Sequence, residues 1–361
     1  MAAWQQVQCV ARAASPILLG RASIAAGRNL RLRQVRTVAD PSIAFRIAEV
    51  PGKGLGLVAA RNLAPGELIV AEKPVLTYNA RGSGGASLPE VLSRQFSVLE
   101  AAQQEAVMAL HDAHARDGRK TLEGIIFSNA FAREAGVFDA ALCLVSSRLN
   151  HSCLPNCEQT WDPDSCEVQV RASTGVAAGA ELCNYYVDLL APACDRRRTL
   201  QEGYRFECTC RACRGFVAES DRRRRRLREA LKRAEGGSTA QPLPARLRAS
   251  EEALKLYERE GLHLHCHLKV LCRSAFEAAL AGGRVEAAAA WLQLACEASR
   301  TCHGPGHRDT QWLEERARGL GQTQVRQRQI LAAIVCSACV AYAASLARSR
   351  ASQKSAQPWM S

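Results

Sequence analysis

Two short stretches of this 361-residue chain concentrate side chains that could bind a metal ion or hold a cofactor. The stretch "FECTCRACRG" contains Cys208, Cys210 and Cys213. Three thiolates this close in sequence can bind one ion, because zinc accepts four sulfur ligands at about 2.3 Å in a tetrahedron. A closed site of this kind needs a fourth ligand, and the earlier stretch "SRLNHSCLPNCEQ" offers Cys153 and Cys157. Without that ligand the three cysteines would be ordinary reduced thiols.

The earlier stretch also permits two other interpretations. Its His151 and Cys153 could form a nucleophilic pair, but no acid that would orient the histidine is evident, and we expect the two side chains to point apart. It could also be a disulfide or redox element. The sixteen cysteines are too dilute for a small disulfide scaffold, and no secretory signal is recognisable. A metal ligand is therefore favoured over a nucleophile or a disulfide.

Length and composition predict a globular protein of two domains, with 47% hydrophobic residues. The net charge of +13 is unevenly distributed. Residues 1–39 carry six arginines and no acid, and no acid follows Glu315. Because so much of the excess lies at the two ends, the folded body is not expected to bind nucleic acid directly.

The two ends leave the cellular location open. Residues 1–40 have the arginine-rich, acid-free composition of a mitochondrial transit peptide, and equally of a disordered tail. In the basic tail 326–361, the apolar run Ile330–Ala347 is long enough for a membrane anchor, with a buried or amphipathic helix as the alternative. The run Arg222–Arg226 reads as a solvated helix face, a nuclear import signal or a nucleic-acid contact. These signals point to mitochondrial, membrane, and nuclear or cytoplasmic locations.

Periodicity predicts an α+β fold in which a β-rich body precedes an all-α region of helical hairpins similar to tetratricopeptide repeats. The glycines of "PGKGLGLVAA" fit a tight β turn rather than a phosphate loop, since neither a G-K-S/T motif nor a helix follows. The "HLHCH" histidines, His263–His267, are interpreted as packing and surface residues of a helix. The predicted segments are strands over 41–79, a helical insertion over 80–125, strands over 126–190, a cysteine segment over 191–215, and helices over 216–325.

Four motifs occur in order and together resemble the SET-domain protein lysine methyltransferases, most of all the SET and MYND domain family, over residues 43–215. They are "GKGLGLVAA", "SNAF", "RLNHSCLPNC" and "AGAELCNYYVDLLAPACDRRRTLQEGYRFECTCRAC". Where the MYND zinc finger of that family would follow "EKPVLTY", no Cys/His array is found. The resemblance is therefore to members that lack the finger.

The resemblance implies S-adenosylmethionine as methyl donor and a lysine of a protein substrate as acceptor; separately, we expect a monomer. It implies that Tyr186 is the catalytic tyrosine, and that Tyr204 and Phe206 line the lysine channel. It makes Cys153 the fourth ligand of a post-SET Zn²⁺ with Cys208, Cys210 and Cys213. The residues expected to hold the cofactor are Gly52, Lys53, Gly54, Leu55, Asn129, Asn150, His151 and Phe206.

Two choices remain at this stage. We expect only one of Tyr185 and Tyr186 to face the channel, because side chains alternate along a strand. The function could also be that of a SET-fold scaffold acting through its C-terminal helices, or of a chromatin-binding protein using Arg222–Arg226.

Overall fold

A computed structural model describes residues 43–133, 139–214, 217–235 and 242–323. These residues form two compact units. The first unit runs to Arg214, and the second contains the helices after Arg214. The short segment Leu190–Pro192 groups with the second unit. The predicted α+β fold, a β-rich body followed by helices, is confirmed. The segment 1–40 and the apolar run 330–347 lie outside the described residues. Among the helices of the described residues, none is both long and apolar enough to cross a membrane.

The β-strands of the first unit are short. They are β1 (Phe45–Val50), β2 (Gly54–Ala59), β3 (Leu68–Glu72), β4 (Leu76–Asn79), β5 (Asp139–Leu142), β6 (Asn150–His151), β7 (Cys157–Asp162), β8 (Glu167–Ala172) and β9 (Glu181–Asn184). Three small sheets result, with strand orders β1-β2-β9-β6, β3-β8-β7 and β4-β5. Only β6 and β9 pair in parallel, among the described strands; the other pairs are antiparallel.

Alternating burial explains why these stretches pack as strands. In β8, Val168, Val170 and Ala172 are fully buried while the residues between them are half-exposed, as expected for side chains that point to opposite faces of a sheet. One core cluster joins the first two sheets through residues that include Leu57, Ile69, Leu149, Val170 and Leu182. Leu149, the residue before the Asn-His pair, therefore anchors strand β6 to this apolar core.

The helical insertion is confirmed between β4 and β5. Its helices are α1 (Leu88–Ser97), α2 (Ala101–Met108) and α3 (Leu122–Asn129). The hydroxyl of Thr121 caps α3 by accepting a hydrogen bond from the Gly124 N–H at 2.9 Å. The segment after Tyr186 forms α4 (Ala193–Tyr204), which leads to the three clustered cysteines.

The second unit contains helices α5 (Val217–Glu235), α6 (Leu243–Glu260), α7 (His265–Ala281), α8 (Val285–His303) and α9 (Arg308–Thr323). A core of small and aromatic side chains holds α7, α8 and α9 together, including Phe276, Trp291, Leu292 and Leu313. Four arginines of the run in α5 form ion pairs with carboxylates of this unit: Arg222 with Glu219, Arg223 and Arg224 with Glu260, and Arg226 with Glu252.

Gly56 in β2 gives the first test, because a Cβ atom there would lie 2.6 Å from Asn150 Nδ2 and 2.8 Å from Val50 Cγ2. We expect Gly56→Ala to lower stability by roughly 1–3 kcal/mol through overpacking. Scanning calorimetry of the full chain should show this as a lower Tm. Gly175→Ala is the matched control, since its nearest atom would be Leu63 O at 4.0 Å. Equal Tm values for the two variants would contradict the close approach of β2 and β6.

Candidate active site

The Asn-His pair is held beside β9 by strand pairing and by one asparagine. In the parallel pair, Asn150 lies opposite Cys183 and His151 opposite Asn184. The Asn156 side chain donates to Glu181 O at 2.9 Å and accepts from the Cys183 N–H at 2.8 Å. The Pro-Asn turn that follows the Asn-His pair is thus also hydrogen-bonded to β9.

The segment before the motif is fixed by Glu72, at the end of β3. Its carboxylate accepts hydrogen bonds from the backbone N–H groups of Leu144, Val145 and Ser146 at 2.7–3.0 Å, and from the Ser146 hydroxyl at 3.0 Å. Sequence reasoning missed Glu72. The only local signal was an acid ending the apolar run "LIVAE", and such an acid is usually a solvated strand end.

The four predicted zinc ligands come together. The sulfur atoms of Cys153, Cys208, Cys210 and Cys213 all lie within 4.8 Å of one another. Cys153 Sγ is 3.6 Å from Cys213 Sγ and 4.0 Å from Cys208 Sγ. The donor set fits a tetrahedral thiolate site for Zn²⁺. Cys157, the other candidate for the fourth ligand, is buried in the apolar core instead.

Two arginines of α4 secure this cluster. Arg196 is buried, with 1% of its surface exposed, and its Nε donates to Cys153 Sγ at 3.3 Å. Arg197 donates to the backbone oxygen of Cys213. A buried guanidinium is costly unless an anion compensates it, so Arg196 indicates that the cluster carries negative charge. This role of the "DRRR" segment was not predicted.

The pKa values of the thiols agree with that charge. Hydrogen bonds with Cys208 and the other thiols raise the pKa of Cys153. The hydrogen bond from Cys153 lowers the pKa of Cys210, and it lowers the pKa of Cys213 to about 6. Part of the cluster is therefore thiolate at neutral pH, which is the form that binds metal ions.

A cluster of four rings lies next to the cysteines: those of His151, Tyr186, Tyr204 and Phe206. The ring of Tyr186 lies 4.9 Å from that of Tyr204 and 6.5 Å, edge-on, from that of Phe206. The imidazole of His151 lies 5.4 Å from Tyr186 and 6.1 Å from Phe206. The Tyr186 hydroxyl donates to Leu149 O at 2.5 Å. Burial raises the pKa of both tyrosines, so both phenols stay protonated at neutral pH.

His151 is a neutral, oriented side chain. Its Nδ1 accepts the backbone N–H of Tyr186 at 3.0 Å, so a neutral ring carries its proton on Nε2, which lies 3.2 Å from Cys153 Sγ. Burial, with smaller contributions from Arg196 and Lys53, lowers the pKa of His151 to about 3. The expectation that His151 and Cys153 point apart was wrong, because residues two positions apart in an extended chain share a face.

A narrow cavity of about 190 Å³ opens beside Tyr186. This is smaller than the roughly 300–1,000 Å³ of most small-molecule pockets, and it suits one extended side chain. Both Tyr185 and Tyr186 contribute to its wall. The expectation that only one would do so was wrong, since β9 ends at Asn184 and its alternation does not continue. Its other lining residues include Asn129, Gln159, Asn184 and Tyr204.

The remaining cofactor candidates lie around Glu181, which sequence reasoning also missed. Gly52 and Gly54 adopt φ values of 73° and 72° in the turn between β1 and β2. From this turn, Lys53 Nζ reaches Glu181 Oε2 at 2.6 Å, and Asn150 Nδ2 donates to Glu181 Oε1 at 3.0 Å. Burial lowers the pKa of Lys53, but the hydrogen bond to Glu181 and the charges of Glu181, Cys183 and Cys208 together outweigh it and leave the pKa raised. Glu181 thus couples the glycine turn, which includes the exposed Leu55, to the Asn-His pair.

Asn129 is placed differently from the other candidates. It lies at the end of α3 and lines the cavity, but its amide nitrogen donates to His111 O at 2.6 Å and to Ile125 O at 2.7 Å. Its backbone oxygen accepts from the Ser147 hydroxyl at 3.1 Å. Asn129 therefore connects the insertion to the motif segment, and its amide nitrogen is already engaged.

A family model described as the SET domain matches residues 54–187. Residues 54–187 are thus similar to SET domains. The match spans the glycine strand, the Asn-His-Ser-Cys motif and Tyr186, while the three later cysteines lie beyond its end. The predicted resemblance to SET-domain lysine methyltransferases of the SET and MYND kind is confirmed by the relatives described next.

The chain is 32% identical over 190 residues to the histone-lysine N-methyltransferase set5 of Schizosaccharomyces pombe, over 51% of this chain and 56% of set5. It is 37% identical over 93 residues to the mouse histone-lysine N-methyltransferase SMYD3, over 26% of this chain and 21% of SMYD3. The chain thus spans about half of set5 and a fifth of SMYD3. Among solved structures, the SET domain of LSMT bound to lysine and AdoHcy matches 79% of this chain and 88% of that chain, with 14% identity and a TM-score of 0.30.

The cysteine cluster gives the second test. We expect Cys153→Ser to reduce the zinc bound per full-length chain by one ion, because serine oxygen is a poor replacement for a thiolate ligand. Inductively coupled plasma mass spectrometry of the purified protein measures this. Cys194→Ser, which removes an exposed thiol from α4, should keep the zinc content of the wild type. A folded Cys153→Ser chain with undiminished zinc would argue against the four-sulfur site.

Proposed function

We propose that this chain is a protein-lysine N-methyltransferase that transfers a methyl group from S-adenosylmethionine to a lysine side chain of a protein. The observation that carries the proposal is the narrow cavity bounded by Tyr186, Tyr204 and Asn184, next to the SET motif. The names of set5 and SMYD3 as histone-lysine methyltransferases support the same reaction. We also propose that the protein acts as a monomer.

The glycine turn, the Asn-His pair and Phe206 fit a methyl donor with an adenosine and an amino-acid part. A Cβ added at Gly52 or Gly54 would meet nothing within 4 Å, so ligand atoms have room to approach this backbone. Asn150 and the Lys53–Glu181 pair supply polar groups, and the Phe206 ring supplies an apolar face. When bound, S-adenosylmethionine supplies a methyl group on a sulfonium centre. The proposed cofactor residues are Gly52, Lys53, Gly54, Leu55, Asn129, Asn150, His151 and Phe206.

The amine must lose a proton before it can attack. A free lysine has a pKa near 10.4, and moving its ammonium group from water into the cavity disfavours the charged form. Tyr204 and Tyr186 form an uncharged wall, since both remain protonated. The Tyr186 hydroxyl uses its hydrogen on Leu149 O, which leaves an oxygen lone pair to accept a hydrogen bond from the amine. The protein thus contributes alignment rather than a covalent intermediate.

Asn184, which lines the cavity, carries a second candidate acceptor. Its side chain is 9% exposed and donates from Nδ2 to Gln159 Oε1 at 2.8 Å. Its Oδ1 is buried and has no hydrogen-bond partner within the described part of the chain. An amine nitrogen placed there would satisfy this oxygen. We propose that Asn184 and Tyr186 orient the amine together, and that Asn184 limits how many methyl groups it can carry.

The two alternatives receive less support. A purely structural scaffold would not need a cavity with protonated tyrosines and an unsatisfied acceptor. A nucleic-acid contact through Arg222–Arg226 is weakened because Arg224 is buried against Glu260, and Arg222, Arg223 and Arg226 also pair with carboxylates, which lowers the positive charge of the run.

Tyr186→Phe tests the proposed mechanism. We expect kcat to fall by roughly 100-fold or more, because one positioned hydroxyl is lost from the transition state. Binding of S-adenosylmethionine, measured by calorimetry, should change little. Transfer of a radiolabelled methyl group to a histone mixture provides the rate. Tyr78→Phe, which removes a phenol hydroxyl outside the cavity, is the control. Wild-type kcat in Tyr186→Phe would remove this residue from the mechanism.

Asn184→Leu separates binding of the amine from binding of the methyl donor. Losing a hydrogen bond to a charged or highly polar group costs about 1.5–3 kcal/mol, so KM for a lysine peptide should rise roughly 10- to 100-fold. The Kd of S-adenosylmethionine should stay constant. Asn184→Asp keeps an acceptor oxygen and should leave KM near the wild-type value. A KM for Asn184→Leu equal to that of the wild type would show that Oδ1 does not contact the substrate.

A further inference from the structure

The helical unit contains a second group of sulfur and imidazole ligands, unrelated to the SET domain. Cys266 lies in the first turn of α7, and Cys302 and His303 end α8. Their ligand atoms all lie within 4.8 Å of one another. Cys266 belongs to "HLHCH", whose histidines the sequence alone assigned to packing and surface. The partner stretch "TCHGPGH" carried no recognised signal.

The hairpin formed by α7 and α8 explains why these distant residues meet. A tight turn at Gly282 and Gly283, where Gly283 has a φ of 68°, joins the end of α7 to the start of α8. The two helices then pack through a shared core that includes Phe276 and Trp291. The first turn of α7 and the last turn of α8 therefore lie together at the open end of the hairpin.

Charged and aromatic groups surround His303. Lys269 Nζ lies 2.9 Å from His303 Nε2 and 2.5 Å from Asp309 Oδ2. The ring of His307 stacks on that of His303, with centroids 4.3 Å apart and an angle of 18°. These contacts hold the imidazole in one orientation.

We propose that Cys266, Cys302 and His303 bind one Zn²⁺ ion, with the fourth tetrahedral position taken by water. Two thiolates and a neutral imidazole balance the charge of the ion, and binding releases two thiol protons to solvent. This donor set selects a borderline-soft ion over calcium or magnesium, which prefer oxygen ligands. Cys302 is 1% exposed, whereas Cys266 and His303 are half-buried, so one side of the ion faces solvent. The ion would fasten the open end of the hairpin.

Zinc analysis of the full-length protein tests the site. We expect two zinc ions per wild-type chain, one at the four-sulfur cluster and one at Cys266, Cys302 and His303. Cys302→Ala and His303→Ala should each remove one ion, and Cys153→Ser should keep the second. Cys296→Ala is the matched control, because this buried thiol lies on the same helix outside the cluster. A chain with only one ion, lost in Cys153→Ser and retained in Cys302→Ala, would overturn the proposal.

A second measurement needs no variant, which matters if loss of Cys302 prevents folding. The wild-type chain loaded with ¹¹³Cd²⁺ should give two resonances, one from a site of four sulfurs and one, with weaker deshielding, from two sulfurs and a nitrogen. A single four-sulfur resonance would overturn the second site. So would a Cys266–Cys302 disulfide, detected by mass spectrometry under non-reducing conditions.

Discussion

The meeting of Cys153 with Cys208, Cys210 and Cys213 is the constraint from which the geometry of the site follows. Cys153 is two residues from His151, and Cys208 is two residues from Phe206. Fastening the sulfurs therefore also brings the ring of Phe206 to the imidazole and to Tyr186. Thiolates gathered this closely would repel one another without a cation. The buried Arg196 offsets part of that charge, and the ligand set is suited to a divalent ion for the remainder. The site consequently depends on a segment that lies outside the matched SET domain.

Half-buried carboxylates and one amide provide the second level of order. Glu72 holds the backbone before the motif, Glu181 connects the glycine turn to Asn150, and Asn156 fastens the chain after it. Each of these side chains makes hydrogen bonds that help to fix the segments around β6. Strand pairing alone supplies few such bonds here, because β6 contains only two residues. The proposed methyl transfer to an amine relies on alignment, so a rigid frame of this kind would serve that chemistry more directly than additional apolar packing. The neutral His151 belongs to the same frame, because its two ring nitrogens connect the backbone of Tyr186 to Cys153.

The sequence predicted those parts of the site whose signals are local. The glycine turn, the Asn-His-Ser-Cys motif and the three clustered cysteines each lie within a few residues, and their residue types are unusual enough to be recognised. Glu72, Glu181 and Arg196 were missed because each acts on a partner far away in sequence, and a single acid or arginine has no distinctive local pattern. Tyr185 was misjudged because strand alternation was extended past the end of β9. Cys266 was passed over because its partners lie on the next helix, and only the hairpin brings them together.

The arginine run illustrates how composition misleads when pairing is ignored. A run of five arginines in a chain of net charge +13 suggests an electrostatic surface for nucleic acid. Arg224, however, is fully buried against Glu260, which also pairs with Arg223 and accepts from Ser220. Burial raises the pKa of Glu260, but these hydrogen bonds outweigh it and leave the pKa below its ordinary value. The carboxylate therefore stays charged at neutral pH. Two arginines of the run, Arg223 and Arg224, therefore link α5 to α6 through Glu260. Part of the positive charge of the run is thus compensated inside the helical unit, and less of it is available for a nucleic-acid contact.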